Sequence, residues 1–254
     1  MDLGLAGKTV TIMGSTGGIG TALVNLLAQE RARLVLIGGQ SERLKSLAAR
    51  PTSAGILVDA VTGDFRRDSD RRACTSALLD LAQLDGFVFL PAELRTDTFP
   101  DARPSEIRET FDVNLFAAIE LAQAALSRAS STASFVFASS VDAHRHPRHT
   151  SSASYDSSKR ALESVAESIA VEAGSRGIRS NCIIPGLIRT PMTEDLFSTQ
   201  FQLERDQFLA SVPLGRAGTA TEVATLIVFL LSPASSYLTG ACIPVDGGFL
   251  SQGL

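Results

Sequence analysis

The chain has only two tyrosines, Tyr155 and Tyr237, and one of them stands four residues before a lysine in Ser154-Tyr155-Asp156-Ser157-Ser158-Lys159. On a helix, positions i and i+4 share a face, so the phenol and the ammonium can approach one small volume. A nearby cation favours the phenolate and lowers the phenol's pKa from its usual ~10. A phenol tuned in this way can trade a proton with an alcohol or a carbonyl. Fifteen residues upstream, Ser139-Ser140 closes an apolar run, and a hydroxyl there could hold the same oxygen. Tyrosine–lysine pairs also arise by chance on solvated helices, so the elements that would position these residues have to decide.

Those elements alternate. Val10-Thr11-Ile12-Met13 is a short apolar run, followed by Gly14-Ser15-Thr16-Gly17-Gly18-Ile19-Gly20 and then Ala22, Leu23, Leu26 and Leu27 at helical spacing. Strand, glycine-rich turn and helix in that order suit a pyrophosphate: glycine permits close approach, and a helix N-terminus offers free N–H groups and a positive dipole end. Leu34–Ile37 is the second apolar run, ending at Gly38-Gly39-Gln40-Ser41, where a dinucleotide's adenosine ribose would lie. NAD-preferring sites usually place a carboxylate there, and this chain has none. Further strands are expected at Ile56–Val61, Phe87–Leu90 (closed by Pro91), Ser134–Ala138, Ile178–Ile184 and Ala241–Val245. Helices are expected over Glu42–Ala49, over Asp68–Ala82, from an N-cap at Ser105 to about Ala129, from Tyr155 to near Gly174, and over Thr221–Leu231. Seven apolar strands alternating with helices predict an α/β doubly wound fold with a parallel sheet. There is no repeat, low-complexity tract or linker, so residues 1–254 read as one domain. The one long irregular stretch, about Pro191–Arg216, has the length of a lid or binding loop.

Composition narrows the function classes. The net charge of −4 and the absence of tryptophan or a basic stripe disfavour a nucleic-acid module. Cys74, Cys182 and Cys242 make no C-x-x-C pair, which gives neither a disulfide framework nor zinc spacing, and Cys182 and Cys242 fall in core-like runs. No stretch approaches ~18 uninterrupted apolar residues, and the N-terminus has no long apolar region. The expectation is a soluble, cytoplasmic protein with no membrane or nucleic-acid partner and no metal.

In this order and context the motifs resemble the short-chain dehydrogenase/reductase family over essentially the whole chain, especially its members related to 3-oxoacyl reductases. The family's opening T-G-x-x-x-G-I-G is matched by Gly14, Gly18, Ile19 and Gly20, with Met13 replacing the threonine. Ser140 looks like its catalytic serine, Tyr155 to Lys159 like its Y-x-x-x-K, and Asn114 like its asparagine. Pro185, Gly186 and Thr190 look like its P-G-x-x-x-T, and Val245-Asp246-Gly247-Gly248 like its C-terminal pattern. The resemblance implies a single Rossmann-type domain with a seven-stranded parallel sheet flanked by helices. It also implies an NAD(P)-dependent oxidoreductase that interconverts a small-molecule carbonyl and a secondary alcohol, working as a homotetramer or dimer. Tyr155 would donate the proton, Ser140 would hydrogen-bond the substrate oxygen, and Lys159 would bind the nicotinamide ribose. Asn114 would anchor a water linking Lys159 to solvent. Gly14, Ser15, Thr16, Gly18, Ile19 and Gly20 would hold the pyrophosphate. Gly39, Gln40 and Ser41 would face the ribose, and Asp64 and Phe65 the adenine. Pro91, Ala92, Pro185, Gly186, Ile188 and Thr190 would complete the nicotinamide side.

Four departures matter. Phe89-Leu90-Pro91-Ala92 replaces the family's N-N-A-G, which removes bracing amides and one backbone donor. This supports a rival reading, a dinucleotide-binding protein with weak or no turnover and a regulatory or structural role. The markers for NAD and NADP are both absent, but the missing carboxylate, with Ser41 and Arg43 near, favours NADP. The Ser140–Tyr155 interval is two residues longer than in many relatives. It also carries all three histidines (His144, His146 and His149) with Arg145 and Arg148. That segment reads either as a solvated basic loop or as a mouth that attracts an anionic substrate.

Overall fold

The computed structural model describes residues 3–95, 99–145 and 152–251. Near-continuous apolar runs need cover on both faces, which is the demand of a parallel sheet. β1 (Thr9–Met13), β2 (Arg33–Gly38), β3 (Val58–Thr62), β4 (Leu84–Phe89), β5 (Ala129–Ala138) and β6 (Arg179–Pro185) are joined in one sheet by the last strand, Cys242–Val245. The order is β3-β2-β1-β4-β5-β6 and then that last strand, all pairs parallel. All seven expected strands are present. β3 lies at an edge, and none of its residues is buried, whereas all but one residue in each of β1, β2 and β4 is.

Helices cover both faces. α1 (Gly18–Gln29), α2 (Ser41–Ser53), α3 (Asp68–Leu79), α4 (Pro104–Phe111), α5 (Ala117–Arg128) and α6 (Ala153–Ala173) come in chain order. On the face covered by α3, α5 and α6, the core is built on Phe87, Phe89, Phe135 and Phe137, with the Phe87 and Phe135 rings stacked 5.1 Å apart. Leu23, Leu27, Ile12, Leu34, Val88 and Ile227 build the other face.

Three expectations need correction. The helix expected from Ser105 to Ala129 is two helices, α4 and α5, joined by a π-helical turn over Asp112–Phe116. It starts with Pro104 at its first turn and Arg103 as N-cap, because proline's missing N–H costs nothing there. The stretch over Pro191–Arg216 is not irregular throughout. After the short strand β7 (Ile188–Arg189) it holds two 3₁₀ turns, Glu194–Phe197 and Thr199–Phe201, and a helix, α7 (Gln202–Ala210). β8 (Gly218–Thr219) pairs with β7 in a separate two-stranded ribbon. The final helix, α8 (Ala220–Leu231), opens with a capping box between Thr219 and Glu222. The last sheet strand is then β9 (Cys242–Val245). Among the described residues, no helix is long and apolar enough to cross a membrane.

Candidate active site

In an open parallel sheet, ligands bind outside the carboxyl ends of the strands where the order reverses. Here β1 lies between β2 and β4, so chain order reverses at β1/β4. The glycine-rich turn leaves β1 at that point. Gly14 takes φ +76°, which a side chain disfavours, and a Cβ on Gly20 would lie 2.3 Å from the Gly14 carbonyl oxygen. A Cβ on Gly18 would lie 2.8 Å from the Thr190 side chain, so the glycine turn touches the segment after β6 directly. No side chain caps the N-terminus of α1 and no acidic residue stands in its first turn. Its N–H groups are left for an anion.

At the end of β2, Gly39 and Gln40 are exposed, as is Ser41 opening α2. A Cβ on Gly39 would meet nothing closer than the Gly63 carbonyl oxygen at 3.6 Å. Asp64 follows β3, and its carboxylate is gripped by Arg66, Nε to Oδ1 at 3.0 Å and Nη2 to Oδ2 at 3.1 Å. That ion pair holds the Asp64 carboxyl below the usual range. Phe65 is buried against Phe89. Pro91, after β4, lies over Gly14: a Cβ on that glycine would be 3.2 Å from the proline nitrogen. The strands β1 and β4 stay joined past this point by the Leu90 N–H donating to the Met13 carbonyl at 3.2 Å.

The chemistry-bearing residues converge at the ends of β5 and β6 and the start of α6. Tyr155 and Lys159 are 8% and 1% exposed, and the Lys159 Nζ lies 5.8 Å from the Tyr155 ring centroid. Lys159 donates to the carbonyls of Ala138 at 2.8 Å and Pro91 at 3.1 Å. Burial lowers its pKa to about 8. The Ser140 hydroxyl faces the Tyr155 phenol closely enough to act on its pKa, and it donates to Asp142 Oδ2 at 3.2 Å. The expected lowering of the phenol's pKa is reversed. Burial pushes it well above its ordinary value and the Asp142 carboxylate pushes it further, while the Ser140 hydroxyl pulls the other way. Desolvation at this depth outweighs what a neighbouring ammonium would do.

Asn114 lies in the π turn, fully buried. Its Oδ1 accepts from the Glu93 N–H at 2.7 Å, and its Nδ2 donates to the Glu93 carbonyl at 3.2 Å and to Ser158 Oγ at 3.0 Å. It ties the segment after β4 to the helix that carries Tyr155 and Lys159. At the end of β6, a Cβ on Gly186 would lie 2.9 Å from Asp246 Cα, and Ile188 is buried. Ala92 is half-buried beside Pro91.

Two carboxylates were not singled out by sequence reasoning. Asp142 follows Ser140 by two, the spacing of a serine turn, and its N–H donates to Ser140 Oγ at 3.2 Å. Glu163 stands four after Lys159, a spacing that reads as an ordinary surface pair, yet it is 4% exposed. It accepts from Ser139 Oγ at 2.6 Å and Arg160 Nη1 at 2.7 Å, and its Oε1 lies 2.8 Å from His144 Nε2. Ser139 therefore turns toward α6, while Ser140 faces Tyr155. His144 is engaged by Glu163 and Arg160, and Arg145 by the Phe249 carbonyl and ring. His146, Arg148 and His149 lie outside the described residues. Among the described residues, no cluster of three metal-ligating side chains occurs.

A family profile described as enoyl-(acyl carrier protein) reductase matches residues 14–250. A tropinone reductase homolog of Arabidopsis thaliana is 35% identical over 260 residues, covering 98% of this chain and 94% of that one. A 3-oxoacyl-(acyl-carrier-protein) reductase of Rickettsia felis is 29% identical, covering 97% and 98%. Among solved structures, a short-chain dehydrogenase/reductase of Serratia marcescens superposes with a TM-score of 0.88 at 28% identity, covering 96% of this chain and 98% of that one. A Beutenbergia cavernae protein described as an NAD(P)-dependent gluconate 5-dehydrogenase, solved with NADP bound, superposes with a TM-score of 0.89 at 27% identity, covering 99% and 100%.

Proposed function

The chain belongs to the short-chain dehydrogenase/reductase family and is an NAD(P)-dependent oxidoreductase; from that premise we propose that it reduces a ketone to a secondary alcohol, and the reverse, with Tyr155 as the proton donor. One observation carries the reading: a buried phenol with the Ser140 hydroxyl facing it and the Lys159 ammonium 5.8 Å from its ring, at the carboxyl end of the sheet. The residues fit a dinucleotide. The Gly14–Gly20 turn has no room for a Cβ, and the α1 N–H groups are uncapped, so Gly14, Ser15, Thr16, Gly18, Ile19 and Gly20 would hold the pyrophosphate. Gly39, Gln40 and Ser41 would face the ribose, Asp64 and Phe65 the adenine, and Pro91, Ala92, Lys159, Pro185, Gly186, Ile188 and Thr190 the nicotinamide half. When bound, the nicotinamide supplies or accepts the hydride.

The protein's own part is acid–base and positional. Ser140 turns its hydroxyl from Asp142 to the substrate oxygen and fixes it beside the phenol. Tyr155 gives that oxygen a proton as negative charge grows on it. Lys159 supports the phenolate left behind, and Asn114 holds α6 and the segment after β4 at fixed spacing. The segment from Pro191 to Arg216, with α7, closes over the substrate. The absence of a carboxylate at Gly39 supports NADP. The same reading places a homo-oligomer, dimer or tetramer, in the cytoplasm. Exposed Phe116 and Val171, on elements that pack together, support the first, and three free thiols the second.

The test is direct. The purified chain is titrated with NADPH and NADH, then offered a panel of ketones and a 2-enoyl thioester, with loss of reduced-nicotinamide absorbance as the readout. Ketone reduction is expected, with Tyr155→Phe lowering turnover by ~10²–10⁴ at unchanged cofactor binding. A Tyr155→Phe protein that matches the parent rate overturns the assignment. Reduction of the enoyl substrate alone would move the reaction to a C=C bond. NAD binding at least about tenfold tighter than NADP, a difference of ~1.4 kcal/mol, would reverse the cofactor preference.

A further inference from the structure

Cys182 stands in the middle of β6 and Cys242 opens β9, and the two are paired Cα to Cα in the register. Adjacent strands run about 4.8 Å apart, and in-register residues of a parallel pair project from the same face. The two Cα atoms therefore fall within the ~4.4–6.8 Å over which disulfides form. Both thiols are on the α6 side of the sheet. Cys182 packs in one cluster with Leu162 and Ala166, and Cys242 packs against it. Cys182 is fully buried, with its Sγ 3.6 Å from the Ile183 carbonyl oxygen, and Cys242 is half-buried, with its Sγ 3.8 Å from Glu167 Oε1.

We infer that Cys182 and Cys242 form a redox-active dithiol, in which Cys242 meets a peroxide and Cys182 resolves it as a disulfide. The Cys242 sulfur attacks one peroxide oxygen, the O–O bond breaks, and hydroxide leaves to become water, giving a sulfenic acid. The Cys182 sulfur then attacks the Cys242 sulfur. The S–O bond breaks, and the departing hydroxide takes the Cys182 proton as a second water. Two thiols are oxidised by two electrons and one peroxide is reduced. The division of labour follows exposure and charge. The Cys182 S–H favours the Cys242 thiolate and pulls that thiol below its ordinary pKa, against burial and the Glu163 and Glu167 carboxylates. The same contact and burial push Cys182 up. Cys74 is the internal control: it is fully buried, and its thiol is pushed up to about 11.

Closure reaches the site, a consequence that rests on the function proposed above. Parallel pairing leaves the Cβ atoms near the strand spacing, wider than the ~3.8 Å typical of disulfides, so the bond draws the strands together. β9 has four residues and, among the described residues, pairs in the sheet with β6 alone, so it is the strand that moves. β6 runs on to Pro185 and Gly186. β9 runs on to Asp246–Gly248, where the Gly247 carbonyl accepts from the Leu214 N–H at 3.1 Å and so anchors the end of the α7 segment.

The experiment treats the full chain with hydrogen peroxide, quenches it, denatures it without reductant, and counts thiols. The count is expected to fall from three to one, with the tryptic peptides that carry Cys182 and Cys242 joined and two hydrogens lighter. Turnover is expected to fall by up to ~10²-fold, as for an ångström-scale displacement at a site, and to return with dithiothreitol. Cys242→Ser should keep both remaining thiols through the treatment. Cys182→Ser should leave Cys242 as a sulfenic acid that dimedone traps. Three thiols after treatment, or trapped Cys242 in the unsubstituted chain with Cys182 still free, overturns the pair. Closure without any change in turnover overturns the coupling to the site. The thiol count and peptide masses read the pair even if the substrate is wrong.

Discussion

In the function proposed above, Tyr155 is suited to giving a proton rather than taking one. Its phenol stays protonated through neutral pH because burial and then the Asp142 carboxylate disfavour the phenolate. Ketone reduction should therefore have a flat kcat/KM from about pH 6 to 8, whereas alcohol oxidation, which needs the phenolate, should climb tenfold per unit across the same range. Removing the Asp142 charge removes one of three raising causes, the others being burial and the Asp156 carboxylate, so Asp142→Asn should move the alkaline limb of oxidation to lower pH by up to about one unit. Paired pH–rate profiles decide it, and an unmoved limb would mean that Asp142 acts only on Ser140. Type and spacing pointed to Tyr155 and Lys159, with Ser140 closing an apolar run, whereas Asn114 was singled out through the family resemblance alone. The sign of the phenol's shift was not legible, since i+4 spacing reports the lysine's nearness and says nothing about depth. Asp142 and Glu163 were missed for the same reason: each looks like an ordinary polar residue until the fold buries its surroundings.

At the level of elements, the seven sheet strands were legible from apolar runs alone, and what escaped had weaker signals. The π turn at Asp112–Phe116 leaves the apolar stripe almost in phase, so α4 and α5 read as one helix. α7 buries no residue completely and so lacks the stripe that would announce it. The Thr219-x-x-Glu222 capping box was present in the sequence and could have fixed the start of α8. The end of that helix makes a test. Arg179 is 8% exposed, and its guanidinium donates to the Leu230 carbonyl at 2.8 Å, the Ser232 carbonyl at 3.2 Å and Ser235 Oγ at 2.9 Å. The negative end of the α8 dipole takes the place of a carboxylate. Arg179→Ala would remove these charge-assisted bonds and leave the Leu230 and Ser232 carbonyls to the Ser134 and Ser235 hydroxyls, and it should cost about 1.5–3 kcal/mol in urea unfolding. A change within the scatter of surface substitutions would show that the serine hydroxyls and solvent suffice for those carbonyls.

The molecule as a whole carries a cost at its own centre. Lys159 is almost fully buried, and its pKa falls from 10.5 to about 8 on folding. Below about pH 8 the folded and unfolded chains both hold the proton, and the fold bears the full cost of burying it. Between about pH 8 and 10.5 the folded chain releases it while the unfolded chain keeps it, so stability rises with pH through that window and levels above it. Lys159→Met should lose turnover yet unfold at higher urea at pH 7, by on the order of 1–3 kcal/mol, with no such rise. Subtracting the two stability–pH curves isolates this group from the other titrating residues. A difference curve that is flat from pH 7 to about 10.5 would place the ammonium in contact with water.

The junctions of the α7 segment set where this scaffold can be cut. One end rests on Gly18 through the Thr190 side chain, and the other is hydrogen-bonded to Gly247 through Leu214. A graft that exchanges the intervening chain for that of a relative has to keep Ile188–Thr190 and Asp246–Gly248 from one parent. Any bulk added at Thr190 is passed straight to the turn where a pyrophosphate would lie. Crossovers placed after Pro191 and before Leu214 leave both seams native, so new substrate preferences can be explored without retuning the nucleotide cradle.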